Sequence, residues 1–244
     1  MFFSVSLLYC TANTINPYAI MAHQLLSYMA IGKSDCVEAY MDGVKWLFFD
    51  IGSTLVDETK VYDDIFQKIA VAAGVSVEDV KTRAIEFYKQ NKRGHREVIR
   101  LLGVDYPEWS PLFEELYPDT MKCLRILAKK YKLGIIANQI PGAKKRLEEM
   151  GIRRYFDVIV SSAEEGVAKP DLQIFRIALS KAGCTPEQAV MIGDRIDNDI
   201  VPAKQLGMKT VWIKQGVGKY WHIQGDSETP EYEVNNLSDL LSIF

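Results

Sequence analysis

The sequence predicts an α/β protein, in which a parallel sheet carries helices on both faces and a small helical cap is inserted after the first strand. Short, uniformly apolar runs alternate with helix-length periodic segments. Polar residues stand at the carboxyl tips of those runs, and one long stretch breaks the alternation with helical pattern alone. The apolar runs fall at 46–50, 133–138, 158–161, 190–194 and 210–213, with a weaker one near 232–234. Strands with no polar face belong in a sheet buried on both sides, which is the parallel arrangement. Helical periodicity fills 120–130, 143–150, 172–182 and 198–206, where the crossovers between parallel strands belong.

Between Asp57 and Tyr117 only helical pattern is visible, over 62–73, 77–91 and 96–102. Gly74 and Gly94 punctuate it, and Pro107, Pro111 and Pro118 cluster near its return. An insertion of roughly sixty residues exceeds any ordinary loop. The predicted organisation is therefore a core of 41–56 with 118–244, and a cap of 57–117.

Composition narrows the function classes. The 244 residues are 48% hydrophobic and 25% charged, an ordinary globular balance. A net charge of -3 offers no global attraction to nucleic acid or anionic membrane, so any anion binding must be local. Cys10, Cys36, Cys123 and Cys184 are scattered without a C-x-x-C pair, as buried thiols of a reducing, cytoplasmic compartment would be. His23, His95 and His222 are too dispersed for a zinc site.

The first forty residues differ from the rest. From Met1 to Gly32 there is no Asp, Glu, Lys or Arg. Met1-Phe2-Phe3 lacks the basic start of a secretory signal, and Asn13, Asn16, Pro17, His23 and Gln24 interrupt any membrane span. Met41 stands just before the first strand. Residues 1–40 are expected to be a dispensable extension from a start assigned too far upstream, with a signal or anchor as the alternative.

The strand Trp46-Leu47-Phe48-Phe49 delivers Asp50 to its tip, and a carboxylate beside a buried strand needs partners. In parallel α/β sheets functional groups gather at the carboxyl ends of strands, and Asp50, Asn138, Ser161 and Asp194 stand at four such ends. Singly, Asp194 and Asp199 read as helix caps and Lys169 as a surface lysine. Their combination marks a site.

Asp50-Ile51-Gly52-Ser53-Thr54, Ala137-Asn138, Lys169-Pro170 and Gly193-Asp194 through Asp199, in this order, resemble the motifs of the haloacid dehalogenase-like superfamily. A cap after the first strand resembles that of its subclass I members. The resemblance covers 41–244 and implies a Rossmann-like core. It implies Asp50 as a nucleophile forming an aspartyl-phosphate, with Lys169 and Mg²⁺ neutralising the phosphate. Asp50, the Gly52 carbonyl and Asp194 would ligate the metal, with Asp199 holding a metal water or orienting Lys169. Thr54, Asn138 and Lys169 would bind phosphate.

Two departures bear on activity. Phosphatases of the family carry a second Asp where this chain has Gly52, and a Ser or Thr where it has Ala137. The second Asp protonates the leaving group and later activates water. The expected activity is therefore Mg²⁺-dependent hydrolysis of a small phosphorylated metabolite with weakened general acid catalysis. A catalytically impaired binding or regulatory protein is the rival from another class. A dehalogenase or phosphonate-cleaving enzyme is a further one, and the latter would require a cap lysine such as Lys89 or Lys92. Glu58, Asp63 and His95 are near enough in sequence to be substitute acids. The basic run Lys89, Lys92, Arg93, Arg96 and Arg100 is expected to be a solvated face. Were it to face the cleft, it would favour a substrate with more than one anionic group. Trp109, Trp212 and Trp221 are expected to pack rather than stack on a ligand.

Overall fold

The computed structural model describes residues 41–244, so the expectations for 1–40 lie outside the described residues. In chain order the first half contains β1 (Trp46–Phe49), β2 (Val56–Asp57), α1 (Thr59–Ala73), α2 (Val77–Tyr88), α3 (Gly94–Leu102), β3 (Glu115–Leu116) and α4 (Thr120–Leu127). Then follow β4 (Lys132–Ala137), α5 (Ala143–Glu149), β5 (Phe156–Ser161), α6 (Ser162–Glu165) and α7 (Leu172–Ala182). The chain finishes with β6 (Ala189–Gly193), α8 (Val201–Gln205), β7 (Lys209–Ile213) and β8 (Tyr232–Val234).

Every residue of β1 is buried, so neighbours must cover both its faces and both its edges. The sheet order β5-β4-β1-β6-β7-β8, with all pairings parallel, achieves this by placing β1 inside the sheet. Alternate strand residues point to opposite faces. On one face Phe48, Ile136, Val160 and Met191 pack with Ile174, Phe175 and Ala178 of α7. Leu47, Phe49, Ile135, Val190 and Ile192, on the other, are equally buried. The weak apolar run near 232–234 is the edge strand β8.

The cap has a core of its own. Val61, Ile65 and Ile69 of α1, Val80, Ala84 and Tyr88 of α2, and Val98 and Ile99 of α3 form one buried cluster. These positions follow the three-and-four spacing that brings residues onto one helix face. Ser76 starts α2 by accepting a hydrogen bond from the Asp79 amide, and Gly74 and Gly103 end α1 and α3 in the left-handed conformation.

Two local features differ from the sequence reading. The insertion is not purely helical: β2 and β3 pair antiparallel for two residues each, closing the base of the cap. A two-residue ribbon is too short to carry a period. The single helix expected over 198–206 is instead a π-helical turn, Ile196–Ile200, running into the short α8. Pro202, which lacks an amide hydrogen, sits in the first turn of α8, where no intrahelical donor is needed.

Candidate active site

The chain leaves β1 at Asp50 and folds at once into a tight turn. The Leu55 and Val56 amides both donate to the Ile51 carbonyl, and the Ser53 amide donates to Val56. Ser53 takes a φ of +56°, a left-handed conformation uncommon for a residue with a Cβ. Its hydroxyl donates to Glu58 Oε2 at 3.1 Å. Glu58 occupies the cap position of α1 yet makes no capping bond, and Asp57 accepts from the Thr59 amide instead. The Glu58 side chain is thus free to turn inward, where it is buried. A Cβ added to Gly52 would overlap Glu58 Oε1, with Cδ 2.6 Å and Oε2 2.8 Å away. The Glu58 carboxyl group therefore lies directly beside Gly52. Burial, then the Asp50 and Glu114 carboxylates, push the Glu58 carboxyl up to about 8.

Lys169 reaches the same place from the loop before α7. Its ammonium is buried and donates to Asp50 Oδ1 at 2.7 Å and to Asp199 Oδ1 at 2.5 Å. Burial alone would favour the neutral amine, but Asp199 and then Asp50 outweigh it and the net shift is upward. Asn138, at the tip of β4, clamps the backbone of that lysine: Nδ2 donates to the Lys169 carbonyl and Oδ1 accepts from the Lys169 amide, both at 2.8 Å. Asp199 Oδ2 also accepts from the Arg195 amide at 3.0 Å. Asp50, Asp194 and Asp199 bring ligand oxygens within 4.8 Å of one another, all three buried. Burial, then Asp199 and Asp50, raise the Asp194 carboxyl well above its ordinary range. Asp199 rises to about 6, held there because Lys169 opposes its burial.

A cavity of about 410 Å³ opens over these groups, with cap residues as its roof. Arg93 and Arg96 at the start of α3, with Tyr62, His95, Tyr106 and Trp109, line it opposite Asp50 and Lys169. Arg93 Nη2 donates to Asn198 Oδ1 at 3.3 Å, and the Arg96 guanidinium lies 5.7 Å from the Tyr106 ring centre. The expectation of a solvated basic face is corrected for Arg93, which is half-buried, whereas Arg96 borders the cavity and stays exposed. Lys89, Lys92 and Arg100 are not among the lining residues. The cavity thus takes only the part of the run at the start of α3.

A family model described as haloacid dehalogenase-like hydrolase matches residues 44–207. The chain belongs to the haloacid dehalogenase-like hydrolases. A glyceraldehyde 3-phosphate phosphatase of Methanocaldococcus jannaschii is 40% identical over 129 residues, a match covering 52% of this chain and 55% of that protein. One from Pyrococcus abyssi is 32% identical over 223 residues, covering 82% and 93%. The crystal structure of a HAD phosphatase from Thermococcus onnurineus superposes with a TM-score of 0.57 at 26% identity, covering 82% of this chain and 97% of that one.

Within this haloacid dehalogenase-like frame, Asp50, Gly52, Asn138, Lys169, Asp194 and Asp199 all line one cavity. Thr54 does not. Its hydroxyl is fully buried with no hydrogen-bond partner, and Ser53 faces the cavity in its place, because the turn after Asp50 swings position 54 inward beneath the loop. Of the three substitute acids considered, Asp63 pairs with Lys81 at 2.6 Å and lies away from the cavity. His95 lines it, but its Nδ1 pairs with the Tyr88 hydroxyl at 2.8 Å. Burial, then Arg96, lower His95 to about 3, so it is neutral at physiological pH. Arg195, not singled out from the sequence, lies beside the acidic residues, bidentate to Asp197 and 4.4 Å from the Trp221 ring centre. Trp212 packs against the site loop by donating to the Asp194 carbonyl. Among the described residues no helix is long and apolar enough to cross a membrane. Cys123 and Cys184 are free thiols.

Proposed function

We propose that this chain is a Mg²⁺-dependent phosphatase of small phosphorylated metabolites, with Asp50 as its nucleophile. One observation carries the reading: the buried Lys169 ammonium joins Asp50 to Asp199 beside Asp194. Three carboxylates against one ammonium leave two negative charges, the complement of one divalent cation. The donors are hard oxygens, which suit Mg²⁺. Asp50, Asp194 and the Gly52 carbonyl would hold the ion, with Asp199 shared between its water shell and Lys169. When bound, Mg²⁺ supplies positive charge that neutralises the phosphoryl oxygens.

The protein's own groups account for the remaining steps. An Asp50 carboxylate oxygen attacks phosphorus, the bond to the ester oxygen breaks, and an aspartyl-phosphate forms. Lys169 holds Asp50 in one orientation and compensates charge on the transferred group. Water then attacks phosphorus, the bond to Asp50 breaks, and inorganic phosphate leaves. Relatives named glyceraldehyde 3-phosphate phosphatase support a small phosphorylated substrate. A phosphonate-cleaving reading is disfavoured, because Lys89 and Lys92 do not line the cavity.

The cap supports a finer statement about the substrate's far end. Arg93 and Arg96 give the roof positive charge, which fits a second anionic group such as a carboxylate or another phosphate. A phosphoester panel assayed with Mg²⁺ tests both statements. Turnover should vanish in Asp50→Asn, and Arg96→Ala should raise KM about tenfold for an ester bearing a carboxylate while changing it little for one without. Turnover that survives Asp50→Asn would refute the nucleophile. A protein that binds phosphoesters without turning any over would be the impaired binding protein instead.

A further inference from the structure

The phosphatase reading leaves one position vacant: the residue two places after the nucleophile is Gly52, which offers no proton. The fold brings another carboxyl group into that volume. We infer that Glu58 is the general acid and base of the reaction, acting from the position that a side chain on residue 52 would otherwise fill. The inference rests on the phosphatase reading and replaces the expectation of an unassisted leaving group.

Four features of the chain point the same way. The Glu58 carboxyl group surrounds the site where a Cβ on Gly52 would stand, so a side chain at 52 and Glu58 in this pose exclude each other. Glycine at 52 thus leaves room for the inward pose of the glutamate. Glu58 lines the same cavity as Asp50 and Lys169. Its place at the start of α1 explains why a capping role does not account for it, since its side chain makes no bond to the helix amides. Finally, Ser53 adopts a left-handed φ of +56° and directs its hydroxyl to Oε2, holding the carboxyl group in one pose. Backbone strain of this kind persists where surrounding structure holds it. Here the Ser53 side chain packs so closely on Gly216 that a Cβ there would lie 2.5 Å from that of Ser53.

The proton balance is complete with this residue. As the Asp50 oxygen bonds to phosphorus, the ester P–O bond breaks and the departing oxygen takes the Glu58 proton, leaving the neutral alcohol and a Glu58 carboxylate. In the second step that carboxylate takes a proton from water as the water oxygen bonds to phosphorus. The Asp50–phosphorus bond then breaks, restoring the Asp50 carboxylate and the Glu58 acid. No further acid, base or co-reactant is needed.

General acid help matters most for leaving groups that are poor as anions, and typically contributes about 10²–10⁴ in rate. The test is a series of alkyl and substituted aryl phosphates, assayed with Mg²⁺ on wild type, Asp50→Asn, Glu58→Gln, Glu58→Ala and the double variant Gly52→Asp with Glu58→Ala. Wild type should show a shallow dependence on leaving-group basicity. Glu58→Gln should lose about 10²–10⁴ on alkyl esters while keeping most of its rate on nitrophenyl phosphate, so that the dependence steepens. Gly52→Asp should restore alkyl turnover to Glu58→Ala, because removing the glutamate vacates the volume an aspartate needs. The ratio of alkyl to aryl rates is taken within each variant, so partial unfolding cancels from it. Equal losses across the series, or an unchanged slope, would overturn the role of Glu58 while leaving Asp50-dependent phosphatase activity standing. Absence of any Asp50-dependent turnover would remove the phosphatase reading itself, and the role of Glu58 with it.

Discussion

Replacing Lys169 with Met tests the charge balance of the site without any substrate. Met keeps the length of the side chain but removes an ammonium that lies 2.7 Å from Asp50 and 2.5 Å from Asp199. Asp50, Asp194 and Asp199 would then remain buried around a space that no ammonium enters. Breaking a buried ion pair by deleting one partner costs about 3–5 kcal/mol, because the surviving charge stays desolvated. For a domain of this size each kcal/mol shifts the melting temperature by about 2–4 °C, so metal-free Lys169→Met should melt about 6–20 °C below wild type near pH 8.

The loss should shrink in acid. Asp199 titrates at about 6 even with Lys169 present, above an ordinary carboxyl, so in the variant it takes up a proton more readily still. A carboxyl raised in the folded state favours folding when protonated and disfavours it as pH rises through its folded value. The gap between variant and wild type should therefore widen from pH 5.5 to pH 8. Mg²⁺ should narrow it, since an ion at a hundred times its dissociation constant stabilises by about 2.7 kcal/mol, and the variant offers it one more uncompensated charge. Scanning calorimetry in EDTA and in Mg²⁺, at both pH values, reads all of this. Equal melting temperatures for the two proteins at pH 8 without metal would show that the carboxylates are already neutral or hydrated, and the charge argument would fall.

Three further outcomes are expected. Calorimetric titration should show Mg²⁺ binding that Asp194→Asn weakens at least about tenfold, and equal affinities would make Asp194 a structural cap. His95 is held near 3 by burial and Arg96, far below its unfolded value, so its contribution to stability is complete above about pH 6.5 and is lost as pH falls towards 3. At about 1.4 kcal/mol per pH unit, His95→Gln should lose about 4–8 °C less than wild type between pH 7.5 and 5, and parallel melting curves would refute this. Gly216→Ala would force a Cβ against Ser53 at a φ of +50°, costing roughly 1–3 kcal/mol in thermal melts and lowering kcat by displacing Ser53 from Glu58. A stable variant with full activity would show that the Ser53 turn does not need this support.

The architecture is legible in the amino-acid sequence, and so is the core's half of the candidate site. The runs that became β1 and β6 are apolar throughout and those of β4 and β7 nearly so, with Lys132, Lys209 and Thr210 at their starts, and strands without a polar face belong inside a parallel sheet. Once that sheet is granted, Asp50, Asn138 and Asp194 must share one edge, because each follows a parallel strand. Lys169 and Asp199 were legible through the order of the motifs, and they too line the cavity. Thr54 was misplaced for a related reason, since spacing along a chain does not reveal which way a tight turn rotates its side chains. What the cap brings to the candidate site depends on how its helices pack in three dimensions. Arg93 and Arg96 are indistinguishable in sequence from Lys89, Lys92 and Arg100, and their place on the cavity wall depends on where α3 begins and how it packs on α1 and α2. Glu58, Asp63 and His95 were all near enough in sequence to be considered as substitute acids, and what separates Glu58 is a volume. Gly52 has no side chain, the Ser53 turn points a hydroxyl to Glu58, and the carboxyl of that residue, just before α1, lies where a Cβ on Gly52 would stand. Periodicity and motif spacing report on faces and strand ends, whereas a void and the group that fills it exist only once the chain has closed in three dimensions.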